Sequence, residues 1–445
     1  MHFVGIGGIG MSGLAELLHN MGVKVSGSDV SEGAQTARLR EVGIPISIGH
    51  DRRNVKDADV VVFSSAVKFS NPELVDAKER GIPTIGRAEV LHEVMRLKRG
   101  IAVGGTHGKT TTTSLIATMM IQNDLDPTVV VGGRLDLIKS TSKLGEGDWL
   151  VAEADESDGS FLQLSPEIAV VTNVDNDHLD HYGSFEALKT AFLKFAERVP
   201  FYGLAVVCGD DPLIREIYSD FRKRIVYYGF EAQNDYQLVG SSKSFEVLFQ
   251  GSKIAQLTAP IPGRHNALNM LAAIAVGREL GIDGQKCADG IAKFGGVDRR
   301  MTLLGIKDGV KVIDDYGHHP TEIRATLAAI KEDLGSGKLI VVFQPHRYSR
   351  TQTCWQDFLD SFTLADRTFV LPIYSAGEPL IAGITSEALV DSIQKCGKYS
   401  VDQVVFSFDS SLAVREAKEI AKQNDTVLFL GAGDIWKVSR EFLKV

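Results

Sequence analysis

Ile101-Ala-Val-Gly-Gly-Thr-His-Gly-Lys-Thr-Thr-Thr-Thr-Ser-Leu-Ile-Ala117 runs from an apolar strand through a glycine-rich turn into Lys109-Thr110 and then a helix. This is the order of a phosphate loop. Turn glycines let backbone N–H groups converge on phosphate oxygens, the helix start adds partial positive charge, Lys109 brings a point charge, and Thr110 offers a hydroxyl to Mg2+. The expected ligand is a nucleoside triphosphate. Val103 stands where the usual G-x-x-x-x-G-K-S/T pattern has its first glycine, so the loop, Gly104 to Thr110, is one residue shorter. The bland alternative is a strand-to-helix turn with a solvated lysine.

Two later strands end where such a loop would need partners. Trp149-Leu150-Val151-Ala152 terminates in Glu153-Ala154-Asp155-Glu156-Ser157-Asp158, and Ile168-Ala169-Val170-Val171-Thr172-Asn173 terminates in Asp175, Asp177, His178, Asp180 and His181. Both are unbroken apolar runs, as central parallel strands are, and their C-terminal ends should share a crevice with the loop. Mg2+ asks for oxygen-rich ligation beside the phosphates, which selects Glu153 as a ligand. Some of Asp155, Glu156 and Asp158 are expected to be no more than a solvated loop with a helix cap.

Upstream, His2-Phe3-Val4 leads into G-x-G-x-x-G at Gly5, Gly7 and Gly10, and a second strand, Lys24 to Ser28, ends at Asp29. An acid at that spacing contacts a ribose hydroxyl in dinucleotide-binding folds. Glycines specify a diphosphate on a helix start, and both a nicotinamide dinucleotide and a UDP-sugar carry one. Further strands, Asp59 to Phe63 and Pro83 to Ile85, end in Ser64-Ser65-Ala66 and Gly86-Arg87.

Downstream, Pro262-Gly263-Arg264-His265-Asn266-Ala267-Leu268-Asn269 opens an alanine-rich helix, Met270 to Leu280. Asn266 and Asn269 share a helical face and suit an adenine edge, or they cap the helix. Arg299-Arg300 follow, suited to phosphate or to a surface ion pair. From about Met301 a new alternation starts. Lys311 to Ile313 ends in Asp314-Asp315-Tyr316-Gly317-His318-His319-Pro320, and Lys338 to Phe343 ends in Gln344-Pro345-His346-Arg347-Tyr348-Ser349-Arg350. Paired arginines with a tyrosine and histidines suit a carboxylate-bearing substrate.

The bulk composition agrees with this picture. A chain of 445 residues exceeds one core, and at about 150 residues per domain it suggests three. Apolar content of 44% with 24% charge is that of a globular protein, and a net charge of −9 argues against a general binder of nucleic acid or anionic membrane. Cys208, Cys287, Cys354 and Cys396 are widely spaced without a C-x-x-C pair, which fits a reducing cytoplasm better than a zinc site or disulfide frame. No apolar run approaches a membrane span, so neither insertion nor a targeting segment is expected.

Taken together, Gly5-Ile-Gly-Gly-Ile-Gly-Met-Ser-Gly-Leu-Ala15, Gly105-Thr-His-Gly-Lys-Thr110, Glu153-Ala-Asp-Glu-Ser-Asp-Gly-Ser-Phe161, Asp177-His178, Gly263-Arg-His-Asn266 and Asp314-Asp-Tyr-Gly-His-His-Pro320 resemble the Mur ligases over essentially the whole chain. Ser157-Asp158-Gly159-Ser160-Phe161 is similar to the branch that adds L-alanine rather than to the branch that recycles a tripeptide. The resemblance implies an α/β protein of three domains: a Rossmann-like UDP-sugar domain (1–98), a central P-loop ATPase domain (99–300) and a C-terminal Rossmann-like amino-acid domain (301–445). It implies ATP-dependent amide formation between UDP-N-acetylmuramate and L-alanine in peptidoglycan synthesis, by a cytoplasmic monomer or homodimer, with ATP and Mg2+. It places Lys109, Glu153 and His178 in catalysis, with Thr110, Glu153 and His178 on metal. Gly105, Thr106, Gly108, Lys109, Thr110, Thr111, Asn266, Asn269, Arg300 and Asp315 would serve ATP. Gly7, Gly8, Gly10, Met11, Ser12, Asp29, Ser64, Ser65 and His107 would hold the UDP-sugar, and Tyr316, His318, Arg347 and Arg350 the amino acid. His178 is left open between metal ligand and base.

Overall fold

A computed structural model describes residues 1–64, 66–241, 243–400 and 402–444. Ser65, expected among the UDP-sugar contacts, lies outside the described residues, as does the side chain of Asp180. The chain divides into two compact units, Met1–Pro260 with Leu268–Gly295, and Ile261–Ala267 with Gly296–Val445.

The first unit holds two sheets. Strands β1 (His2–Val4), β2 (Ser26–Asp29), β3 (Ile46–Ile48), β4 (Val61–Phe63) and β5 (Thr84–Gly86) form a parallel five-stranded sheet of order β3-β2-β1-β4-β5. The order reverses at β1, and that switch point is where a doubly wound sheet opens its ligand crevice. β3 is absent from the sequence reading because Ile46-Ser47-Ile48 is short and mostly exposed, with no apolar run to mark it.

The second sheet has ten strands: β6 (Arg99–Gly104), β7 (Thr128–Leu135), β8 (Ser140–Lys143), β9 (Trp149–Glu153), β10 (Ile168–Val171), β11 (Leu204–Cys208), β12 (Ile225–Gly229), β13 (Tyr236–Ser241), β14 (Ser244–Phe249) and β15 (Ser252–Thr258), in the order β15-β14-β13-β12-β11-β10-β6-β9-β7-β8. β6 sits between β10 and β9, both parallel to it, so the three strand ends singled out in the sequence emerge side by side. Helix Lys109–Gln122 is buried from Thr110 through Met120, and Gly104 lets β6 lie close to the Phe195 ring, 3.0 Å from where a Cβ would stand. Phe161 stacks on Phe195 and meets Phe192 edge-on, which closes the core beneath the crevice. The antiparallel β13–β15 alternate buried and exposed residues, the mark of a sheet with one wet face. Helix Ile9–Asn20 packs on β7 and β8, where Gly13 leaves 2.6 Å between a would-be Cβ and Thr141 Oγ1.

The second unit carries β16 (Thr302–Lys307), β17 (Val310–Asp315), β18 (Leu339–Phe343), β19 (Arg367–Val370), β20 (Val404–Phe406) and β21 (Thr426–Leu430), in the order β16-β17-β21-β18-β19-β20. All pair in parallel except β16, which is an antiparallel edge on β17. One core layer includes Leu327, Phe343, Phe358 and Leu428; the other includes Val312, Ile340, Phe369 and Phe442.

Candidate active site

The phosphate loop is braced from below by the outlet of β10. Thr106 N donates to the Asn173 carbonyl at 3.1 Å, His107 N to Asn173 Oδ1 at 2.8 Å, and Thr172 Oγ1 to the His107 carbonyl at 2.6 Å. Asp175 N returns a bond to Thr106 Oγ1 at 2.9 Å, and the His107 ring lies 3.0 Å from Asp175 Oδ2. Gly105 takes φ +130° against Thr172, and Gly108 takes φ +83° against the Asn269 amide, 2.8 Å from a would-be Cβ. A side chain at Gly105 would push the loop off its brace, whereas one at Gly108 would meet the end of the Asn269 side chain. Gly108 opens the helix without a side-chain cap, and a helix start of this kind favours an anion.

Lys109 Nζ donates to the carbonyls of Gly105 (2.6 Å) and Thr106 (3.0 Å) and to Glu156 Oε1 (2.8 Å). Burial would discharge the amine, but the charges of Glu156, Asp155 and Glu153 outweigh it and hold its pKa above the ordinary lysine value. Thr110 Oγ1 lies 3.1 and 3.0 Å from the two Glu153 oxygens, and Gly132 N fixes Oε2 of the same carboxylate at 2.8 Å. His178, in the left-handed region at φ +58°, has Nε2 3.7 Å from Glu156 Oε1 and 3.6 Å from Asp177 Oδ2. Thus Lys109, Thr110 and Glu153 meet as expected, while His178 joins them through Glu156.

Glu156 is not one of the solvated members of the acidic run. Its side chain is 1% exposed, Tyr182 OH donates to its carbonyl at 2.6 Å, and burial pushes its carboxyl up to about 7 although Lys109 pulls the other way. Asp155 is also engaged: burial would raise it, yet Lys109 and Arg87 hold it below the usual carboxylate range, with Arg87 Nη2 at 3.3 Å.

At the first sheet's crevice, Gly7 N donates to Asp29 Oδ2 at 2.8 Å, so the strand-end acid ties down the fingerprint loop. Gly8 caps helix Ile9–Asn20 without a side chain, and the Arg87 guanidinium lies 3.1 Å from a would-be Cβ on Gly10. Met11 is buried in the core and Ser12 Oγ donates to the Ile9 carbonyl. Ser64 follows β4 and accepts from Ala66 N through its hydroxyl.

In the second unit, Asn266 Nδ2 donates to the Pro262 carbonyl at 2.7 Å. Asp315 is buried and accepts from Met301 N and Gly317 N at 2.8 Å each, tying the turn that carries Arg300 to the end of β17. Both Arg299 and Arg300 lie over the Tyr316 ring, at 4.8 and 5.0 Å. From Tyr316 a ring series continues: His318 edge-on at 5.6 Å, His346 at 5.7 Å from His318, and Tyr374 stacked on His346 at 5.6 Å. Arg350 Nη1 lies 3.4 Å from His346 Nδ1. Arg347, with φ +69°, faces Glu378, which accepts from Ser349 N and Oγ at 3.0 and 2.6 Å. Burial and the neighbouring arginines drive His346 down to about 4; His318, chiefly through burial, falls to about 3. His346 is quoted in the sequence after the β18 strand, but neither it nor Tyr374 nor Glu378 is among the residues assigned there to the amino acid. Their position just past β18 and β19 is the signal that marks the others.

The chain matches three family models: the "Mur ligase family, catalytic domain" over residues 1–99, the "Mur ligase middle domain" over 103–277 and the "Mur ligase, glutamate ligase domain" over 299–433. It is 52% identical to the UDP-N-acetylmuramate–L-alanine ligase of Bdellovibrio bacteriovorus, covering 99% of this chain and 98% of that one. The enzyme of the same name from Geobacter sulfurreducens is 50% identical, over 100% and 96%. Among solved structures, UDP-N-acetylmuramate-alanine ligase from Thermotoga maritima superposes with a TM-score of 0.84 at 33% identity, covering 100% of this chain and 98% of that one. With its loop, its strand-end acids and its ring-lined second unit, the chain belongs to the Mur ligase family.

Proposed function

We propose that this protein joins L-alanine to the muramoyl carboxylate of UDP-N-acetylmuramate at the expense of ATP, in the synthesis of peptidoglycan precursors. The observation that carries the reading is a buried, charged Lys109 at a braced phosphate loop, with Thr110 and Glu153 in contact beside it. A free carboxylate is a poor electrophile. Its oxygen takes the terminal phosphoryl group of ATP, the bond to ADP breaks, and the acyl phosphate is then attacked by the alanine amine, which loses a proton as phosphate departs. Lys109 stabilises charge on the moving phosphoryl group, and the fixed loop N–H groups hold the nucleotide in line.

The donor set fits Mg2+. Thr110 Oγ1 and the Glu153 carboxylate offer hard oxygens in contact with each other, and Glu156 Oε2 is buried without a hydrogen-bond partner. Thr110 and Glu153 would hold one ion and His178 a second, and bound Mg2+ would neutralise charge on the phosphates. Gly105, Thr106, Gly108 and Thr111 serve the phosphates with backbone, Asn266, Asn269 and Arg300 the rest of the nucleotide, and Asp315 acts by fixing the Arg300 turn. Gly7, Gly8, Gly10, Met11, Ser12, Asp29, Ser64 and His107 are assigned to the UDP-sugar. Tyr316, His318, Arg347 and Arg350 are assigned to alanine, whose carboxylate matches the guanidinium pair.

Segments 1–98, 99–300 and 301–445 are the UDP-sugar, ATP and amino-acid parts of this reading, and one sheet lies in each. The cytoplasm, and a monomer or homodimer, complete it; among the described residues no helix is long and apolar enough to cross a membrane. Phosphate release from ATP with Mg2+ and UDP-N-acetylmuramate, scanned over single amino acids and then a muropeptide tripeptide, tests the whole. Best stimulation by alanine with the matching amide by mass supports it. Stimulation by the tripeptide alone replaces it with a recycling activity, and no stimulation by either rejects it.

A further inference from the structure

The Lys109 ammonium has three protons and, in this structure, three acceptors: the carbonyls of Gly105 and Thr106 and Glu156 Oε1. A phosphate oxygen can therefore reach Nζ only by displacing one of them. The two carbonyls belong to the loop that phosphate would also touch, so the exchangeable partner is the carboxylate. Glu156 is held for that task. Its carbonyl is anchored by Tyr182 OH, its side chain is closed off from solvent, and its Oε2 is buried without a hydrogen-bond partner, so the carboxylate's geometry is set by Lys109 rather than by a surrounding cage. His178 Nε2, 3.7 Å from Oε1, is the neighbour left to it once the ammonium turns away.

We propose that Glu156 is a positioning residue that keeps Lys109 folded onto its own loop and competes with nucleotide phosphate for it. The proposal rests on the ATP reading above. It carries a sign that a purely structural carboxylate does not: removing its charge tightens nucleotide binding, because phosphate no longer has to displace an anion, while turnover falls as His178 loses a fixed neighbour.

Titration calorimetry with ADP in Mg2+-free buffer reads this directly, on the full-length wild type, Glu156→Gln, Lys109→Met and the double variant. Glu156→Gln is expected to lower the ADP Kd by about fivefold or more in the wild-type background and by less than about twofold when Lys109 is Met, which is the coupling a double-mutant cycle isolates. Unchanged or weaker binding by Glu156→Gln overturns the proposal. Equal tightening in both backgrounds overturns it as well, since that is bulk charge removal and not competition for Lys109. If Glu156→Gln does not fold, Glu156→Met takes its place under the same criteria, removing the charge at a similar side-chain length. A wild type that fails to bind ADP even with Mg2+ defeats the ATP reading itself, and the proposal with it.

Discussion

Replacing Gly105 by alanine probes the brace under the phosphate loop with one methyl group. At φ +130° the backbone is in a region that L side chains rarely adopt, which costs on the order of 1–3 kcal/mol. The new Cβ would also overlap Thr172 Oγ1 and lie 3.0 Å from Thr172 N. Thr172 cannot simply turn aside, because its hydroxyl donates to the His107 carbonyl at 2.6 Å, and losing that bond costs about 1 kcal/mol more. A destabilisation of about 3 kcal/mol is expected by urea unfolding, and any relaxation that avoids it must shift the loop, which weakens ADP binding instead. Gly108→Ala is the internal control. Its φ of +83° and its neighbour, the far end of the Asn269 side chain, make about 1 kcal/mol sufficient. Adding Thr172→Ala to Gly105→Ala should recover only part of the loss, since the backbone contact and the dihedral remain. If Gly105→Ala unfolds within about 0.5 kcal/mol of wild type and binds ADP normally, the loop is not braced as described.

Lys109→Ala should lower turnover at saturating ATP by at least about a hundredfold in the phosphate-release assay, through lost stabilisation of the moving phosphoryl charge; near-normal turnover removes it from that role. Arg347→Ala is expected mainly to raise the alanine KM by removing a charge-assisted contact, and an unchanged KM would place Arg347 outside the pocket. Burial depresses His318 to about 3 and His346 to about 4, below the unfolded value near 6.5, so between those limits the unfolded chain binds more protons and stability falls as pH drops. The urea midpoint of the wild type should therefore fall between pH 6.5 and 4.5 by more than that of His346→Gln, at up to about 1.4 kcal/mol per pH unit for that histidine, and equal slopes would contradict its burial as a neutral ring.

What the sequence discloses and what it conceals divide along a physical line. β6, β9, β10 and β18 are readable because a parallel strand covered on both faces must be an unbroken apolar run, and the polar residue that ends each run lies at a crevice. Glu153 is legible for that reason, being the last residue of β9 with its side chain fixed by the strand. The ten-strand order is not legible, because pairing between segments far apart in the chain, such as Ile168 with Ile101, is decided by packing, and the one-face alternation of β13 to β15 says only that they are strands.

Glu156 is concealed for a different reason. Three residues past the strand, in an acidic run, its backbone carbonyl is held by Tyr182, 26 positions away, and its carboxylate by Lys109, 47 positions away. Composition predicts solvation for such a carboxylate, and composition is misleading here because it treats the charge alone. A lysine that must sit in a dry phosphate cradle has the same difficulty whenever phosphate is absent, since an unpaired buried ammonium is far costlier than a paired one. The loop carbonyls supply dipoles but no charge. An anion within reach of Nζ is therefore a requirement of the cradle itself, and the acidic outlet of β9, the strand next to β6, is where the chain can supply it. Read that way, a phosphate-loop lysine followed by an acid-rich strand end predicts a resting ion pair, and the acid that forms it has to give the ammonium up before the nucleotide can bind.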